Sequence, residues 1–240
     1  MNSRTSFSLS RRFQIFHRQT SSTDLMFDLL GDRQLSSKRW LKRHLKDPYV
    51  KKSHDSKLRS RSAFKLIEMQ RKHDIIKEGS RVVDLGAAPG GWSVVAAQNA
   101  NRAGKTGKVI GVDLLHVDPI PGVTLICGDA RDKGVQKRVL EELSGKKADV
   151  ILSDMAPNFT GDKQTDHFRS IQLCEEALKI AEIVLVPGGS FLCKFLKGQD
   201  EKELKEKALQ IFKTVKLLKP KASREESSES YLLATTYSPL

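Results

Sequence analysis

The 240-residue chain predicts an α/β fold, a mostly parallel sheet of seven strands with helices on both faces. Two observations carry this. Short runs rich in Val, Ile and Leu recur at 81–85, 109–112, 123–126, 149–152, 190–195, 215–218 and 231–235, bounded by turn-forming or charged residues. Longer helical stretches lie between them at 92–100, 133–143, 169–185 and 202–212. Strands that alternate with helices in this way form crossover units, whose strands run parallel. The length suits one sizeable domain with an extension.

A helix precedes the first strand. Ser62 is a suitable cap for a helix running to His73, and Phe64, Ile67 and Met69 or their neighbours supply its inward face. The first strand ends at Asp84-Leu85 and runs into Gly86-Ala87-Ala88-Pro89-Gly90-Gly91-Trp92, where the next helix begins. Glycines allow a tight turn and close approach to a ligand, and a helix start offers unpaired N–H groups. The second strand ends in Val112-Asp113 and the third is followed by Gly128-Asp129. Beyond the strand ends of such a sheet, the first carboxylate suits a ribose diol and the second an adenine amino group. A nicotinamide dinucleotide would ask for much the same turn, so the turn alone does not choose the ligand. A P-loop is excluded, because Gly104-Lys105-Thr106 has Asn99 where the motif needs its first glycine.

The later strands carry a second pattern. The fourth leads into Ser153-Asp154-Met155-Ala156-Pro157-Asn158, the fifth contains Phe191-Leu192-Cys193-Lys194, and the last is entered through Ser227-Ser228-Glu229-Ser230-Tyr231. With Lys65 in Ser62-Ala63-Phe64-Lys65-Leu66, two lysines and two carboxylates stand at the ends of predicted strands and in a helix. Such groups are unusual in a core and point to chemistry. Met155-Ala156-Pro157 lacks the Pro-Pro-aromatic run of enzymes that methylate exocyclic base nitrogens. No Pro-Cys pair lies there either, and Cys193 reads as strand packing.

The formal net charge is +13, and residues 1–62 hold 15 basic against 5 acidic residues, so +10 of it lies in the first quarter of the chain. A basic lobe on a near-neutral body points to a polyanionic partner. Arg39, Lys42 and Arg43, interleaved with Trp40 and followed by Tyr49, are candidate RNA contacts, as are Arg59 and Arg61. From Met1 to Thr23 there is no acid, and Arg4, Arg11, Arg12 and Arg18 alternate with serines and apolar residues. That is the composition of a mitochondrial presequence, expected over 1–22. A basic extension over 23–61 and the catalytic domain over 62–240 complete the expected organisation. No stretch approaches the roughly 20 apolar residues of a membrane span. Cys127, Cys174 and Cys193 show no C-x-x-C spacing and read as reduced, buried packing residues. His44, His54, His73, His116 and His167 show no paired ligand spacing, so no metal is expected.

Five segments together resemble the FtsJ/RrmJ family of ribose 2′-O-methyltransferases. They are Leu58-Arg59-Ser60-Arg61-Ser62-Ala63-Phe64-Lys65-Leu66, Gly86-Ala87-Ala88-Pro89-Gly90-Gly91-Trp92-Ser93, Gly111-Val112-Asp113-Leu114-Leu115, Ser153–Asn158, and the stretch from Lys219 to Tyr231. The similarity extends from about Ser37 to Tyr237. It implies the class I S-adenosylmethionine-dependent methyltransferase fold, a Rossmann-like sheet of seven strands with the last antiparallel. The implied cofactor is S-adenosyl-L-methionine, held by Gly86, Pro89, Gly90, Gly91, Trp92, Asp113, Asp129 and Asp154. The family's catalytic Lys-Asp-Lys-Glu set falls on Lys65, Asp154, Lys194 and Glu229. Glu225 and Glu226 lie close by; Glu229 is chosen because it stands two residues before Tyr231 on a strand-like run.

With its acid-free leader the chain is most similar to the mitochondrial branch, whose members methylate a uridine ribose in large-subunit rRNA. The resemblance therefore implies a matrix protein, read as a monomer, acting on that rRNA or on the pre-ribosomal large subunit. A tRNA substrate, or an assembly factor with vestigial catalysis, remain the alternatives. A ribose hydroxyl is a poor nucleophile, so the site must align it and accept its proton. Lys194 is the expected base, with Asp154 holding it, and Glu229 fixing Lys65 or the ribose. A lysine is ordinarily charged at neutral pH, so its surroundings must favour proton loss.

Overall fold

The computed structural model describes Tyr49 and residues 58–239. The expected presequence, and Arg39, Lys42 and Arg43, lie outside the described residues. The elements in chain order are α1 (Ala63–His73), β1 (Arg81–Leu85), α2 (Gly91–Ala100), β2 (Lys108–Asp113), β3 (Val123–Cys127) and α3 (Lys133–Glu142). Then follow β4 (Ala148–Ser153), α4 (Lys163–Val184), β5 (Leu185–Leu196), α5 (Glu201–Ile211), β6 (Phe212–Leu218) and β7 (Glu229–Tyr237). The seven strands form one sheet in the order β3-β2-β1-β4-β5-β7-β6. β7 runs antiparallel to both β5 and β6, and every other pairing is parallel. The expected fold class is therefore the observed one.

Both faces of the sheet are covered, as a mainly parallel sheet requires. One face packs Val82, Val109, Leu152, Leu192, Tyr231 and Leu233 under α1 and α2. The other packs Val83, Ile110, Ile151, Phe191, Cys193 and Leu232 under α3, α4 and α5. Successive strand residues alternate between these layers. The chain winds outward from β1 to β3, then crosses back to β4 on the other side of β1. That reversal opens a crevice at the C-terminal ends of β1 and β4, where sheets of this kind bind ligands.

Several local expectations are corrected. Ser62 makes no side-chain cap for α1; its hydroxyl pairs with that of Ser60 at 2.8 Å. The buried stripe of α1 is Ala63, Leu66, Met69 and Gln70, spaced by three and four, so Ile67 falls outside it and is 37% exposed. Helix α4 starts six residues before the expected 169, capped by the Asp162 carboxylate, which accepts from Thr165 N–H; its polar first turn hides the start. Strand β5 begins at Leu185 and runs through Pro187-Gly188-Gly189, and a register shift between Ala148 and Val150 accommodates it. Cys174 and Cys193 are buried as expected, but Cys127 is exposed at the end of the edge strand β3.

Candidate active site

Strand pairing collects the four candidate groups. In the antiparallel β5–β7 ladder Lys194 lies opposite Tyr231 and Leu196 opposite Glu229. Opposed residues share a face, and so do residues two apart on one strand. Lys194, Tyr231 and Glu229 thus emerge on the face that α1 covers, and α1 delivers Lys65 to it. Leu85 pairs with Ser153, and Asp154 N–H donates to the Leu85 carbonyl at 3.2 Å, which sets Asp154 beside the glycine turn.

The result is two ion pairs. Lys65 Nζ is 2.5 Å from Glu229 Oε1, with the two side chains 10% and 15% exposed. Lys194 Nζ donates to the Asp154 backbone carbonyl at 2.6 Å and lies 3.0 Å from Asp154 Oδ1. That Oδ1 is buried and makes no aligned hydrogen bond, so the second contact is one of charge rather than of direction. Glu229 Oε1 also accepts from the Tyr231 hydroxyl at 2.7 Å and the Ser223 hydroxyl at 3.1 Å. Burial pushes the Glu229 carboxyl up, but the Lys65 charge and hydrogen bond, with Lys194 and Tyr231, outweigh it and hold it below the usual glutamate value. Burial, then the charges of Asp154 and Glu229, push the Tyr231 phenol well above its ordinary value, so it stays a donor. Glu225 and Glu226 are exposed, which supports Glu229 as the member of the set. Tyr231 and Ser223 were not among the expected site residues.

The glycine turn brings protein together as well as leaving room for a ligand. Gly86 has φ +76°, and a Cβ there would lie 3.0 Å from Met155 backbone atoms, so the β1 turn and the end of β4 touch. A Cβ at Gly91 would lie 2.1 Å from Ser60 Oγ. The Arg59–Ser62 segment thus lies directly on the turn. Arg59 donates to the carbonyls of Asp118 and Pro119 at 2.7 and 2.6 Å, and Arg61 to that of Ala222 at 2.8 Å. Both of these guanidiniums are engaged with the protein's own backbone. Pro89 is exposed on the turn. Trp92 is 2% exposed, with its indole N–H donating to the Ser62 carbonyl at 3.0 Å and its ring centroid 5.7 Å from that of Tyr231.

Carboxylates ring the same strand ends. Asp113 accepts from Ala88 N–H and Leu115 N–H, each at 2.8 Å. Asp129 is held by Arg131, whose hydrogen bonds lower its pKa. Asp84 is wholly buried; its Oδ2 accepts from Ser93 Oγ at 2.6 Å, and its Oδ1 has no partner. Burial pushes Asp84 up to about 7 against the Ser93 hydrogen bond, with the charges of Asp154 and Asp113 adding to the rise. A carboxyl raised in the fold binds extra protons there, so its ionisation lowers stability as pH rises from about 4 to about 7. The ligand-free protein is expected to melt at lower temperature at pH 8 than at pH 5, and Asp84→Asn to remove most of that difference. An unchanged profile in the variant would show that Asp84 is not the group responsible. Among the described residues no cluster of three or more His, Cys, Asp or Glu could hold a metal ion.

Comparison with known proteins places this geometry. The model of the FtsJ-like methyltransferase family matches residues 58–237. The chain is 48% identical over 207 residues to the ribosomal RNA large subunit methyltransferase E of Brucella anthropi, covering 86% of each chain. To the protein of the same name from Brucella ovis it is 47% identical over 207 residues, again 86% of each. A crystal structure bearing the name ribosomal RNA methyltransferase, from Plasmodium falciparum, is similar with a TM-score of 0.69 and 31% identity, over 76% of this chain and 100% of that one.

Proposed function

Because the chain belongs to the FtsJ-like methyltransferase family, we propose that it methylates the 2′-hydroxyl of a uridine in large-subunit rRNA, using S-adenosylmethionine. The observation that carries this reading is the convergence of Lys65, Asp154, Lys194 and Glu229 into two mostly buried ion pairs at one end of the sheet. Buried ion pairs are a poor way to gain stability, whereas a lysine fixed beside a crevice suits proton removal from a hydroxyl. The names of the Brucella relatives support large-subunit rRNA as the substrate.

The crevice fits a cationic nucleoside cofactor. Asp84 keeps a buried carboxylate oxygen without a partner, and Asp113 stands at the end of β2. The turn at Gly86, Gly90 and Gly91 would admit the cofactor, with Asp113 at its ribose, Asp129 at its base and Asp84 near its charged end. When bound, S-adenosylmethionine supplies the activated methyl group. The protein's part is to place the hydroxyl and accept its proton. Asp154 fixes Lys194 through its backbone carbonyl and Oδ1, and Nζ of Lys194 is the group placed to take the proton of the ribose 2′-hydroxyl. Lys65 orients the ribose, and Glu229, itself held by Tyr231 and Ser223, keeps Lys65 in place.

Residues 1–22 are read as a mitochondrial presequence on their acid-free composition, 23–61 as a basic RNA-binding extension, and the protein as a monomer of the matrix. Fusing residues 1–23 to a fluorescent protein is expected to direct it to mitochondria; a diffuse cytosolic signal would overturn the location. The activity is tested with labelled S-adenosylmethionine and either large ribosomal subunits or tRNA. Label is expected in the large-subunit rRNA, and label in tRNA alone would move the substrate.

A further inference from the structure

A second depression lies beyond the end of β5. It is a cavity of about 530 Å³ between the first turns of α4 and the loop from β5 to α5. Its floor is firmly built. His167, 5% exposed, ties the loop to the helix, with Nδ1 2.7 Å from the Leu196 carbonyl and Nε2 3.0 Å from Asp200 Oδ2. A carbonyl only accepts, so Nδ1 carries the hydrogen. Gly198 permits this closeness, since a Cβ there would lie 2.5 Å from the His167 ring. With that hydrogen on Nδ1, Nε2 accepts from Asp200 N–H at 3.2 Å.

What the walls present is different in kind. Phe168 lines the cavity and is 56% exposed, unusual for a side chain that ordinarily gains most from burial. Lys163, Lys197 and Gln199 line it too and are exposed. Neither lysine pairs with a carboxylate among the described residues. An open aromatic face beside two lysines and a side-chain amide is the combination that holds single-stranded RNA, with a base stacked, a phosphate neutralised and a base edge hydrogen-bonded. Lys197 stands three residues beyond Lys194, about 10 Å along an extended chain, so the occupant is a neighbour of the reacting ribose and not that ribose itself.

We infer that this cavity is a subsite for an RNA nucleotide flanking the methylated one, with Phe168 stacking on its base and Lys163 and Lys197 holding phosphate. The inference rests on the RNA-methyltransferase reading and gives that site part of its substrate selectivity.

The test uses the full chain and two readouts, methyl transfer against concentration of large-subunit rRNA, and anisotropy of a fluorescent single-stranded RNA nonamer. Phe168→Ala is expected to raise KM for rRNA and weaken nonamer binding by about tenfold, leaving kcat and S-adenosylmethionine affinity unchanged. Phe168→Trp should restore both, which a merely structural role would not explain. Lys197→Ala should weaken nonamer binding and reduce its salt slope by about one. An unchanged KM and nonamer affinity in Phe168→Ala, or no rescue by Trp, would overturn the subsite. If the wild-type protein methylates no RNA, the proposed function falls, and nonamer binding alone decides the subsite. Dependence on Phe168 keeps it and independence removes it.

Discussion

Lys194→Ala is expected to lower methyl transfer by about 10²–10⁴-fold while RNA and cofactor binding are largely kept. The Lys194 side chain is 13% exposed and its Nζ is held by two oxygens of Asp154. Its removal therefore takes away a proton acceptor and leaves the surface unchanged. Lys194→Arg should be as inactive, because a guanidinium keeps its charge and cannot take up a proton. A loss of RNA affinity that matches the loss of rate would make Lys194 a phosphate contact and remove its role as base.

Lys65→Met is expected to cost both activity and fold. The Glu229 carboxylate, its side chain 15% exposed, would lose the cation 2.5 Å away that offsets its burial. Leaving such a charge unpaired costs about 3–5 kcal/mol, or roughly 10 °C in Tm for a domain of this size. The pH dependence has a definite sign. In the wild-type protein the Glu229 pKa is lowered, so its contribution is present above the unfolded value and lost as pH falls through the folded one. In Lys65→Met burial dominates and raises that pKa, so the variant should gain stability relative to wild type on acidification towards pH 5. Lys65→Met combined with Glu229→Gln should recover most of the stability and none of the activity. Equal instability of the single and double variants in thermal unfolding would show that the two side chains are not coupled.

Much of this was legible in the sequence for a physical reason. Strand cores such as Arg81–Leu85 are dictated locally, by apolar runs and the glycine turn that follows, and so are the positions of Asp113, Asp154 and Lys194 at strand ends. What the sequence hid depends on contacts made from far away. Tyr231 reads as a core aromatic until the β5–β7 register sets it opposite Lys194 and turns its hydroxyl to Glu229. Arg59 and Arg61 read as a basic patch because their carbonyl acceptors, at Asp118, Pro119 and Ala222, are about 60 and 161 residues away. Trp92 reads as part of a ligand turn, and only the fold shows its indole packed in the layer with α1. Cys127 sits in an apolar run whose strand proves to be the sheet edge.

The most direct test of the central claim is the position of the transferred methyl group. Large-subunit rRNA labelled by the protein from S-adenosylmethionine is hydrolysed with alkali, which cleaves only where a 2′-hydroxyl is free. Label in an alkali-resistant dinucleotide that digests to 2′-O-methyluridine is the expected result. Label released in single nucleotides, carried on the base, would contradict a ribose-directed role for Lys65, Asp154, Lys194 and Glu229.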